Sequence, residues 1–118
     1  MTLTSLEEAN RYIHSFCTIH HFNQTLCFKL NLVVEELVSN LFKYTDAHTF
    51  TLSLHKHDSI DVLLEYPSKA FNFTITPPTH KEISHRQEGG LGLFLVASFT
   101  KTFHYRYQDG KSIYTLTL

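Results

Sequence analysis

The hydrophobic period of this chain changes once, and that change restricts the folds open to it. From Leu26 to Tyr44 the apolar residues Leu26, Leu30, Val33, Leu37, Leu41 and Tyr44 recur every three or four positions, the spacing that lines one face of an α-helix. From Phe50 the period drops to two. Phe50, Leu52 and Leu54 alternate with Thr51, Ser53 and His55, as on a strand with one buried face. A one-faced helix and one-faced strands in the same chain are best satisfied by packing against each other.

The flanking signals fill in the rest. Ser5 can cap a first helix, with Glu8 at the capping-box position. Leu6, Ala9, Ile13 and Phe16 carry that helix to about Cys17. His20 to Asn23 connects, and Asn23 caps the long helix over Gln24–Tyr44. Lys56-His57-Asp58-Ser59 is a polar turn before a second, more apolar and central strand over Ile60–Tyr66. Pro67 and Ser68 end this hairpin. Phe71-Asn72-Phe73 is a short apolar element, and Thr74–Glu88 is an irregular polar connection or lid. Glu88-Gly89-Gly90-Leu91-Gly92 opens a helix to about Thr100, with Leu93, Val96 and Ala97 inward. Asp109-Gly110 is a hairpin turn between strands Thr102–Gln108 and Ser112–Leu118. The expected architecture is an α+β two-layer sandwich, with helices on one face of a mostly antiparallel sheet and residues 1–118 as one domain.

Bulk properties narrow the function classes. A formal net charge of −1 gives no basic surface for direct nucleic-acid contact or an anionic membrane. The start, MTLTSLEEAN, lacks a leader pattern and no apolar run reaches membrane-span length, so a soluble cytoplasmic protein is expected. Cys17 and Cys27 match no metal or redox spacing, and reduced, partly buried thiols are expected. The nine histidines are scattered. His55 and His57 share a strand face but lack a recognised third ligand, so solvated histidine is preferred over zinc.

Two polar features lie against this apolar background. Glu36 and Asn40 are one helical turn apart on the shoulder of the apolar stripe, where ordinary solvent-facing residues would not fall. Gly89, Gly90 and Gly92 let backbone approach an anion at a helix N-terminus. An amide oxygen suits Mg²⁺, which keeps most of its water. A carboxylate nearby can orient or deprotonate an attacking hydroxyl, and Lys43, one turn beyond Asn40, can reach a phosphate.

EELVSNLFKYT resembles the N-box of the gyrase, Hsp90, histidine-kinase and MutL (GHKL) ATPases, and EGGLGLFLV resembles their G2 box. Within that superfamily the chain is most similar to the compact anti-sigma-factor serine kinases, over nearly its whole length. The resemblance implies a Bergerat fold binding ATP with Mg²⁺. It makes Glu36 the catalytic base and Asn40 the Mg²⁺ ligand, and places Gly89, Gly90 and Gly92 at the phosphates; Leu91, within the same loop, is a candidate cofactor-binding residue with them. It implies a serine on a STAS-type anti-anti-sigma partner as substrate and a sigma factor as client, and leaves room for a homodimer.

The chain also departs from the family pattern. Aligned from Phe71-Asn72, Tyr66 stands where the family has an adenine-binding Asp, and Ser68 where it has a Gly. Glu65 is one residue off and faces the other side of the strand. Lys101 replaces an Asp after the G2 helix, and the N-terminal strand is missing or cut to Met1–Leu3. Beside the kinase stand two alternatives: a non-catalytic binding module of the same fold, with weak or no nucleotide binding, and a detached histidine-kinase ATPase domain.

Overall fold

The computed structural model describes residues 1–68 and 96–118, and of Tyr44 the backbone only. Helix α1 spans Leu6–Ile19 and α2 spans Gln24–Tyr44. Ser5 caps α1 by accepting from the Glu8 N–H at 3.2 Å. The Glu8 carboxylate reaches one residue further back than a capping box requires, accepting from the Thr4 hydroxyl at 2.7 Å and the Thr4 N–H at 3.3 Å. Asn23 caps α2 through the Leu26 N–H at 2.8 Å. Each cap satisfies donors that the first turn of a helix leaves open.

The strands are β1 (Thr2–Leu3), β2 (Phe50–Lys56), β3 (Ile60–Pro67), β4 (Thr102–Gln108) and β5 (Lys111–Thr117). They form one sheet in the order β1-β2-β3-β5-β4, with every neighbouring pair antiparallel. The central place of β3 follows from its composition: Ile60, Val62, Leu64 and Tyr66 are buried on one face. Asp109 and Gly110 take φ values of 53° and 77°, as a tight two-residue hairpin turn requires. Gln108 therefore pairs with Lys111, and the β4–β5 register follows.

The buried sheet face meets the stripe of α2. Leu30, Val33, Val34, Leu37, Val38 and Leu41 form one core with Phe50, Leu52, Val62, Leu64 and Leu116. The two-layer α+β expectation thus holds, and strand bounds differ from the sequence reading by a residue or so. The first strand, β1, pairs with β2, with Thr2 opposite Thr51 and Leu3 opposite Phe50. The Met1 amine donates to the Leu52 carbonyl at 3.1 Å, and the Leu52 N–H donates to the Met1 carbonyl at 2.9 Å. Beyond it the Tyr12 hydroxyl accepts from the Leu54 N–H at 3.3 Å. This caps a donor that an edge strand would otherwise present to another chain.

One expectation is overturned. Cys17 and Cys27 are not separate thiols but a disulfide, with Cα atoms 6.0 Å apart. The chain reverses between the helices at His21, which takes a left-handed φ of 55°. That reversal lays the last turn of α1 against the first turn of α2. Proximity created by a helix reversal leaves no spacing motif in the sequence.

Candidate functional site

Helix α2 positions the first group of residues. Glu36 and Asn40 are half-buried while Glu35 and Ser39, on the far side, are exposed. This is the shoulder position that the helical period anticipates. Among the described residues neither Glu36 nor Asn40 has a side-chain hydrogen-bond partner. Lys43 continues the same flank and is exposed.

Lys29, two turns before Glu36, also lies on this flank, and the sequence reading missed it. Its ammonium sits over the Phe99 ring, 5.5 Å from the centroid, a cation–π geometry. Phe99 belongs to helical residues 96–99, and Val96 of that turn is buried in the core. The segment that follows the glycine-rich stretch therefore meets the flank of α2 that carries Glu36 and Asn40. The seven-residue interval between Lys29 and Glu36 was the available signal. Gly89, Gly90, Leu91 and Gly92 lie outside the described residues, as do Phe71-Asn72-Phe73 and Thr74–Glu88.

The second group stands on the core face of β3, β5 and β4. Register pairs Tyr66 with Ser112 and Tyr107 with Ser112, and in the next row Tyr114 lies between Leu64 and Tyr105. The Tyr66 and Tyr114 hydroxyls are 3.2 Å apart. Ser112 Oγ lies 2.7 Å from Ser68 Oγ and 2.9 Å from the Tyr105 hydroxyl. The Tyr107 hydroxyl donates to the Ser68 carbonyl at 3.2 Å. Burial pushes the Tyr66 phenol up from its ordinary pKa, against the opposing bonds to Tyr114 and Ser112. Burial raises Tyr114 well beyond that, reinforced by its bond to Tyr66. Both rings stay neutral at physiological pH.

The sequence singled out Tyr66 and Ser68 from this cluster and missed Tyr105, Ser112 and Tyr114. Alternation on the last hairpin places these three on one face, but pairing them with Tyr66 needs the inter-strand register. Glu65 points away, as expected, and approaches Lys111 at 3.9 Å on the other face. Lys101 donates from its ammonium to Ser59 Oγ at 3.0 Å. The His55 and His57 rings touch, with centroids 4.4 Å apart, and His57 pairs with Asp61. Among the described residues no group of three His, Cys, Asp or Glu side chains could hold a metal ion. No helix among them is long and apolar enough to cross a membrane.

The two groups fit a magnesium nucleotide unequally. An amide oxygen and a carboxylate, half-buried on one flank, are the donor types that Mg²⁺ and an attacking hydroxyl require. Among the described residues the tyrosine face carries no carboxylate.

The family described as the histidine kinase-like ATPase domain matches residues 1–118. The chain belongs to that family, as its N-box and G2 box suggested. Among solved structures it is similar to a chain of the SiaB–SiaC complex from Pseudomonas aeruginosa, with a TM-score of 0.65 and 13% identity over 99% of this chain and 88% of that one. At such low identity the likeness concerns the fold. No curated protein matches the chain in sequence.

Proposed function

We propose that this chain is an ATP-binding protein kinase of the anti-sigma type, which transfers a phosphoryl group to a serine on a STAS-type anti-anti-sigma partner and regulates a sigma factor. The observation that carries this reading is the Glu36–Asn40 pair. It is half-buried on the flank of α2 that also meets Phe99 through Lys29. The family match supports nucleotide chemistry, and the similar solved structure is itself a complex of two proteins. The reading requires the cytoplasm, where ATP and sigma factors are found together.

In this reading Asn40 holds Mg²⁺ through its amide oxygen, and Lys43, Gly89, Gly90, Leu91 and Gly92 bind the phosphates. The magnesium ion, when bound, neutralises charge on the phosphate oxygens. Glu36 would accept the proton of the partner's serine hydroxyl as its oxygen bonds the terminal phosphorus, while the bond from that phosphorus to the bridging oxygen breaks and ADP leaves.

The decisive experiment incubates the chain and its cognate STAS partner with Mg-ATP and looks for phosphoserine by mass spectrometry. Phosphoserine that disappears with Glu36→Ala, while ATP binding persists, is the expected result. The absence of both phosphoserine and a thermal shift with Mg-ATP sinks the reading.

A second reading is favoured by one observation. Tyr66 and Ser68 stand where the family's base-binding residues belong, and both are engaged with Tyr114 and Ser112. It makes the chain a non-catalytic module that binds a partner with little or no nucleotide. Tight ATP binding by the wild type would exclude it.

A further inference from the structure

We propose that the Cys17–Cys27 pair is a reversible thiol–disulfide exchange site, served by a low-molecular-weight thiol that enters through the cleft between α1 and α2. The inference is independent of the nucleotide reading above.

Both cysteines line one cleft of about 470 Å³ where the two helices meet. Cys17 is only 6% exposed and belongs to the core, whereas Cys27 is half-buried at the core's margin. Disulfide exchange begins when a thiolate attacks one sulfur, and its rate depends on which sulfur can be reached. Here that sulfur is the one on Cys27. The incoming thiolate bonds to Cys27 Sγ, the bond to Cys17 Sγ breaks, and the electron pair leaves on Cys17 Sγ, which takes up a proton. A second thiolate then attacks the small thiol's sulfur in the mixed disulfide, and Cys27 leaves as a thiolate. Two thiols have supplied two electrons and depart as their own disulfide. The same steps in reverse close the protein's bond.

Reversibility follows from what else holds the two cysteines in place. Ala9, Ile13 and Phe16 anchor α1 in the core, and the Tyr12 hydroxyl ties it to the sheet by accepting from the Leu54 N–H. Leu30, Val33 and Val34 anchor α2 just beyond Cys27. The reversal between the helices has ties of its own. The Phe22 N–H donates to the Cys17 carbonyl at 3.0 Å. The rings of Phe16, His20 and Phe22 pack on one another, with centroids 4.5 Å apart for the nearest pair and 5.5 Å for the others. None of these contacts passes through the two sulfurs. Separated thiols, ten residues apart in sequence, therefore stay close enough to rejoin, because closing so short a loop costs little entropy. A disulfide that stands in for a missing core cannot open this way.

The test places the full chain in buffers of graded reduced-to-oxidised glutathione ratio, with free thiols counted by alkylation and mass spectrometry. The native wild type is expected to pass from bonded to free and back as the ratio is reversed, with an unchanged near-ultraviolet circular dichroism spectrum. A pair that opens only after denaturation, or a reduced chain that loses that spectrum, overturns the inference. So does reduction by dithiothreitol but not by glutathione, since the site then admits no small monothiol. Single variants test the entrance, because the chain has only these two cysteines. Oxidised glutathione should modify Cys27 in Cys17→Ser at least about tenfold faster than Cys17 in Cys27→Ser, as the difference in access requires. Equal rates overturn the assignment of Cys27 as the attacked sulfur.

Discussion

On α2, Glu36 and Asn40 stand half-buried on the shoulder of a packed helix, with no side-chain hydrogen-bond partner among the described residues. On β3 and β5, Tyr66 and Ser112 are almost wholly buried, and their hydroxyls turn toward other side chains. The two regions reach opposite solutions to the same cost, that of keeping a polar group near an apolar core. The helix leaves its polar groups open to a ligand and draws rigidity from the stripe behind them. The sheet satisfies its polar groups internally and gains a specified core, leaving little for a ligand to use.

The largest effect should come from the helix. Glu36→Gln should lower the rate of phosphoserine formation by roughly 10²–10⁴-fold, the usual contribution of a general base, while calorimetry finds ATP affinity nearly unchanged. A comparable loss from Tyr66→Phe would erase the contrast between the two regions. Next in size is the Cys17–Cys27 bond that ties α2 to α1. Closing a loop this short contributes about 3 kcal/mol, so urea melts with and without a thiol reductant should differ by about that amount. A melt insensitive to reductant would mean that packing alone holds the helical layer. Asn40→Ala should weaken Mg-ATP binding by about ten- to a hundredfold with little change in melting temperature, separating binding from stability on α2.

The sheet should behave in the reverse manner. Tyr114→Phe removes the partner of a buried hydroxyl and should cost about 1–2 kcal/mol in a denaturant melt, with nucleotide affinity unaffected. Tyr66→Phe in the same background should recover part of that loss, because no hydroxyl is then left unpaired. The smallest expected effect is on pH. Both phenols have pKa values raised above that of an exposed tyrosine by burial. In the alkaline range the folded state then binds more protons than the unfolded one. Their contribution is full below about pH 10 and is lost as pH rises through the folded values. Thermal melts between pH 9 and pH 11 should fall more steeply for the wild type than for the double phenylalanine variant.

The sequence by itself determined whatever depends on neighbours along the chain. Ser5 and Asn23 start helices because their side chains cap amides two or three residues on, and Asp109-Gly110 turns because its backbone tolerates a positive φ. The same locality placed Glu36 and Asn40 on one shoulder of α2, since a helix fixes their spacing whatever it packs against. The tertiary structure decided what depends on elements distant in sequence. It joined Cys17 to Cys27 through a helix reversal, set Lys29 against Phe99, and closed Tyr66, Ser68, Ser112 and Tyr114 into a shared network. Strand register and helix packing bring such groups together only when the whole core forms, and a one-residue slip of β5 would have turned Ser112 and Tyr114 to the opposite face.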